Sequence, residues 1–160
     1  MGTQSMDDFT LARVVHVVAV LFWIGGVGLV TLVLMPAIHA AERPDDRLKA
    51  FHRIEGRFAP QAKIWVLLAG ASGFWMTDRA DLWSRFADLQ HYWWMHAMLG
   101  VWLIFFVMLF VLEPLFLHRR MLNSQTPAAD FRRMERAHRI LLAASVIAVI
   151  GAVGGSHGLF

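Results

Sequence analysis

Cysteine is absent from this 160-residue chain. That excludes disulfides, thiolate metal sites and the C-x-x-C-H attachment of c-type haem, so any metal or haem must be held without a covalent tether. Charge is scarce as well: 17% of residues are Asp, Glu, Lys or Arg, against 58% hydrophobic. That balance is too apolar for an ordinary soluble domain of this length and points to a membrane protein. The pI near 10.2 does not indicate nucleic acid, because the basic residues stand between long apolar runs, where they act as topology signals. No nucleophile–base constellation, glycine-rich phosphate loop or paired-carboxylate site is present, so hydrolase chemistry has no support. The segment Met1 to Thr10 carries Asp7 and Asp8 without a basic stretch. The apolar run after it is too long for a signal-peptide core and is read as a retained span.

What is present is apolar length. A hydrocarbon core of roughly 30 Å needs about 20 apolar residues in a helix. Residues 11–37, 92–117 and 139–156 meet that need. Residues 58–76 meet it only by including Pro60, Gln61 and Lys63, whose ammonium is expected to snorkel to the interface. The fold class predicted is therefore all-α: an integral membrane four-helix bundle in one domain, residues 1–160, without linkers or low-complexity tracts. Between the second and third spans, Leu82, Trp83, Phe86 and Leu89 fall at helical spacing and predict a short interfacial helix. Tyr92, Trp93 and Trp94 follow as part of an aromatic belt.

Lys and Arg set the orientation. The loop after the first span holds Arg43, Arg47, Lys49, Arg53, Arg57 and Lys63, and the loop after the third holds Arg119, Arg120, Arg132, Arg133, Arg136 and Arg139. The middle loop has only Arg79 and Arg85, and the N-terminal tail only Arg13. Both basic loops are expected inside and both termini outside.

Eight histidines are many for such a chain, and two lie at depth. At 1.5 Å per residue, His16 sits roughly 8 Å and His96 about 6 Å inside the outer edges of their spans. Two imidazoles at matching depth on different helices suit a bis-histidine haem between helices, and suit a small metal site equally. Arg13, one turn before His16, could neutralise a haem propionate. Trp23 lies deeper on the same face and could pack against the ring, and Gly100, one turn after His96, leaves room for it. His91, His157 and Met98 are further ligand candidates, and Met76, Met95 and Met98 are soft enough for copper. The opposing reading is that the histidines bond neighbouring helices and the glycines, including Gly151 and Gly155, serve close packing. Glu113 and Pro114 predict a kink and an interfacial carboxylate.

Arg13-x-x-His16 followed by Trp23-x-Gly25-Gly26 resembles the opening helix of the copper-resistance protein D (CopD) family of bacterial membrane proteins. The same residues resemble the first helix of the HemJ-type protoporphyrinogen oxidases, small haem-binding proteins of the bacterial inner membrane. That second likeness extends to Met35-Pro36 with His39, to Ile54-Glu55-x-Arg57 and to Trp94-x-His96. The HemJ-type pattern has a lysine two residues after the later histidine, where this chain has Met98. The resemblance implies an inner-membrane, multi-pass protein with haem b on His16 and His96, acting in electron transfer or another redox reaction. A quinone or redox protein would be its partner, and a homo-oligomer is compatible. CopD-like copper handling or transport, a HemJ-like protoporphyrinogen oxidase and a non-catalytic membrane subunit are the alternatives.

Overall fold

Two prolines shape the first and third apolar runs. In this computed structural model, which describes residues 2–117 and 124–159, helix α1 (Gly2–Leu29) passes through a π-helical turn, Val30–Leu34, into α2 (Met35–Ala41). The Met35 amide bonds the Val30 carbonyl, five residues back. Pro36 supplies the reason. It has no N–H, and its ring crowds the carbonyl four residues earlier, at Leu32 in the middle of the widened turn. The third run repeats the device. Helix α4 (Trp93–Val107) widens into a π-helix over Met108–Leu117, which contains Pro114. The kink expected at Glu113 and Pro114 takes this form. His118, Arg119 and Arg120 of the second basic loop lie outside the described residues.

Between these runs stands α3 (Arg47–Arg79), and α5 (Pro127–Ser156) follows the third. Both begin well before the apolar stretches at 58 and 139, so their first turns carry the basic residues on helix. Among the described residues there is no strand. Three helical stretches are long and apolar enough to cross a membrane: Asp7–Ala41, Trp93–Pro114 and Pro127–Ser156. Large apolar side chains point outward from them, Leu21 at 66% and Leu32 at 69% exposure among them. Such a surface would drive aggregation in water and is ordinary against lipid.

The contacts give the register. His16 meets Ala69 and Ser72, Phe22 stacks on Trp65, and Gly26 lies under Phe58. Residue numbers rise on α1 as they fall on α3, so the two are antiparallel. Gly70 faces Trp102 and Lys63 faces Glu113, which sets α4 antiparallel to α3. Trp93 and Trp94 lie on Gly151 and Gly155, while Met108 and Leu109 line one cavity with His138 and Leu141, which sets α5 antiparallel to α4. The result is two helical hairpins packed into a bundle. One core cluster, with Trp23, Val66, Ala69, Val101 and Phe105, fills the middle. A second, with Met35, Phe51 and Phe131, closes the end near residues 42–46.

Two expectations gain detail. Lys63 has a partner: its Nζ lies 3.0 Å from Glu113 Oε2, a charge contact without an aligned hydrogen bond at that oxygen. The short helix expected between α3 and α4 is a five-residue 3₁₀ helix, Trp83–Ala87. Its Trp83 leans on Phe74 of α3, and its Phe86 turns toward α4.

Candidate functional site

His16 projects from α1 onto α3. Its Nδ1 lies 2.9 Å from the Ala69 carbonyl and 3.1 Å from Ser72 Oγ. The Ser72 hydroxyl donates to the Leu68 carbonyl of its own helix, so toward His16 it offers lone pairs. Two acceptors at one nitrogen assign the tautomer: Nδ1 carries the proton and donates, and Nε2 keeps its lone pair. Metal-bound histidines show the same arrangement, with the far ring nitrogen donating to a carbonyl. Gly73 makes the space, since a Cβ there would stand 3.2 Å from His16 Cε1.

His96 faces elsewhere. Its Nε2 lies 3.1 Å from the Phe86 carbonyl and its Nδ1 3.2 Å from the Tyr92 carbonyl, with the Phe86 ring edge-on at 5.4 Å. Both nitrogens thus meet acceptors, and a neutral ring can donate to only one of them. The structure brings His16 and His96 to the same end of the bundle, near the loop between α3 and α4. No hydrogen bond or ring contact joins them among the described residues. The contact of Trp23 with Phe105 sets residue 16 level with residue 98, so His96 lies two residues, about 3 Å, nearer that end than His16.

The other expected residues fall as follows. The Arg13 guanidinium sits 5.0 Å above the Phe9 ring at the exposed end of α1. Trp23 is buried edge-on against Phe105 at 5.1 Å, and its indole N–H has no acceptor among the described residues. A Cβ at Gly100 would meet nothing within 4 Å, so the wall below His96 is open. Met98 packs against the cluster that contains Ala19 and Ala69. His91 is bound to Asp88, 2.8 Å away in the exposed loop, and these contacts hold the Asp88 carboxyl below its usual range, the backbone N–H of His91 first. His157 bonds the Val153 carbonyl at the exposed end of α5. Neither points into the bundle with His16. Among the described residues no group of three or more His, Asp or Glu side chains could hold a metal ion.

As a haem or metal ligand, His16 fits: its second nitrogen is fixed and Nε2 is unspent. His96 fits only when its Nε2 leaves the Phe86 carbonyl. Sequence reading missed the partners on α3. Their signal is the small-residue run Ala69-Gly70-Ala71-Ser72-Gly73, in which Gly73 admits the imidazole and Gly70 admits the Trp102 indole. Glu55, on α3 before its apolar stretch, was noted only for its resemblance to a motif. Its carboxyl is pushed up to about 7, by burial first and by the nearby Glu113 second.

Compared with protein-family models, with curated proteins and with solved structures, the chain gives no match. The fold and site define it as a class only: an all-helical protein with several helices able to cross a membrane and a fixed histidine within them.

Proposed function

We propose that the chain crosses a bacterial inner membrane four times, termini outside, and holds a b-type haem on His16 and His96 for electron transfer or another redox reaction. The single observation that carries this reading is the Nδ1 bond of His16 to Ala69, 2.9 Å long. An ionisable side chain inside a span is costly, and this one is held in the tautomer that a ligand needs. The fourth crossing, by α3, is supported by its lying antiparallel beside α1 and by Lys63 having a counter-charge in Glu113. The count of Lys and Arg orients the bundle.

In this reading His16 Nε2 is the preset ligand, and His96 joins when it releases the Phe86 carbonyl. Gly100 leaves the open wall beneath it, and Arg13 stands at the rim as a cation for propionates. A haem held by two imidazoles supplies one-electron exchange, having no open position for oxygen. A quinone or a redox protein would be the partner. One observation favours a second ligand set: Met98 is the α4 residue level with His16 and packs on the cluster beside it. His/Met ligation would raise the potential.

The absorption spectrum of detergent-purified protein tests all of this. A Soret band with sharp reduced α and β bands is expected, lost in His16→Ala and in His96→Ala. Loss in Met98→Leu but not in His96→Ala selects the Met98 arrangement. Copper by elemental analysis without a Soret band replaces haem with the copper-handling alternative. Absence of both leaves His16 as a packing residue and overturns the proposal.

A further inference from the structure

The wall between α1 and α3 opens toward lipid in a groove of about 370 Å³, lined by Leu29, Val30 and Leu34 on one side and by Arg53, Ile54, Arg57, Phe58 and Gln61 on the other. Arg53 and Arg57 are exposed and one turn apart on α3. Neither takes part in an ion pair or hydrogen bond among the described residues. Their neighbours on the basic stretch differ: Arg47 is bound to the carbonyls of His39 and Glu42, and Lys63 to Glu113.

The register sets their level. Gly26 against Phe58 and Phe22 against Trp65 put Arg53 level with Leu34 and Arg57 level with Val30. Both stations lie on the apolar helix Asp7–Ala41, whose 35 residues run about 50 Å at 1.5 Å per residue against a hydrocarbon core of roughly 30 Å. Counted from Leu11, that core ends near Val30, so Arg57 and Arg53 stand at headgroup level on the basic side, directly beside apolar side chains. The π-helical turn Val30–Leu34 forms the apolar floor directly beside the two cations. A ligand that satisfies both halves carries an anionic phosphodiester for the arginines and an aliphatic chain for Leu29, Val30 and Leu34. Arginine suits the first task, since its planar fork pairs two oxygens at once.

We infer that this groove binds one anionic phospholipid, with its headgroup phosphate on Arg53 and Arg57, Gln61 beside it, and an acyl chain along the π-helical turn of α1. The site is independent of any haem. It would tie the α1–α3 hairpin to the leaflet on its basic side, as basic pockets between membrane helices do for charged headgroups.

The test is native mass spectrometry of the full chain released from nanodiscs of equal phosphatidylglycerol and phosphatidylcholine. The wild type is expected to keep one phosphatidylglycerol, enriched about thirtyfold over the bulk, from two cations near the headgroup. The enrichment is expected to vanish in R53Q/R57Q and to persist in R43Q/K49Q, which removes equal charge outside the groove. Leu29→Trp keeps both cations and fills the apolar floor, and it too should abolish enrichment. Equal retention in all variants, or equal loss in R43Q/K49Q, would mean general surface charge and overturn the site. Full displacement by millimolar inorganic phosphate would also overturn it, since the acyl half would then contribute nothing.

Discussion

Three residues of α3 meet at His16, and each sets a different property of the ring: the Ala69 carbonyl fixes its proton, Ser72 its tilt, and Gly73 its room. Gly73→Val places branched carbon where the imidazole lies. It should drive the ring off Ala69 and lower affinity for an added haem by about 10–100-fold, the usual cost of losing an outer hydrogen bond to a ligand. Titration of haemin into the purified variant measures this. At the other end of the bundle, Glu55 titrates near 7 instead of the usual 4.5. A carboxyl raised in this way contributes most when both folded and unfolded forms are protonated. As pH rises from about 4.5 the unfolded form ionises first, and stability falls until the folded form ionises too, near 7. The melting temperature should therefore be several degrees lower at pH 8 than at pH 5. Glu55→Gln should flatten that difference, read by intrinsic tryptophan fluorescence on heating.

At the scale of elements, small residues decide which helices touch. Gly70 lies under the Trp102 indole, where a Cβ would stand 2.5 Å from the ring. The indole N–H reaches the Val66 carbonyl at 2.9 Å. Gly70→Val must push α4 away from α3, and an overpacking penalty of about 1–3 kcal/mol is expected, measurable by denaturant titration in mixed micelles. Much at this scale was legible from the sequence alone. The three long apolar stretches stand in the structure as helices, and the kink expected at Pro114 is a π-helical passage; Pro36, beside the other such passage, carried no such expectation. The α3 helix was less legible, because Lys63 weakens its apolar signal and only the bundle reveals Glu113 as its counter-charge. The direction of His96 was not legible at all. Periodicity says which face a residue occupies, but the 3₁₀ turn that brings the Phe86 carbonyl to His96 depends on tertiary packing. Pairing His16 with Ala69 and Ser72 likewise needed the register between α1 and α3.

For the whole molecule, the absence of cysteine makes orientation directly testable. Single cysteines at Ser84, between α3 and α4, and at Pro44, between α2 and α3, should react from opposite sides of intact cells with an impermeant maleimide. Ser84→Cys should label from outside, and Pro44→Cys only after permeabilisation. The reverse pattern inverts the bundle, and labelling of both from one side leaves α3 out of the membrane. The central claim is that an imidazole inside the bundle is preset to bind iron, and the most direct measurement is the haem-to-protein ratio of the purified chain. About one haem per chain is expected for the wild type and for His91→Ala, whose ring belongs to the exposed loop, and almost none for His16→Ala. A ratio unchanged by His16→Ala would contradict the account.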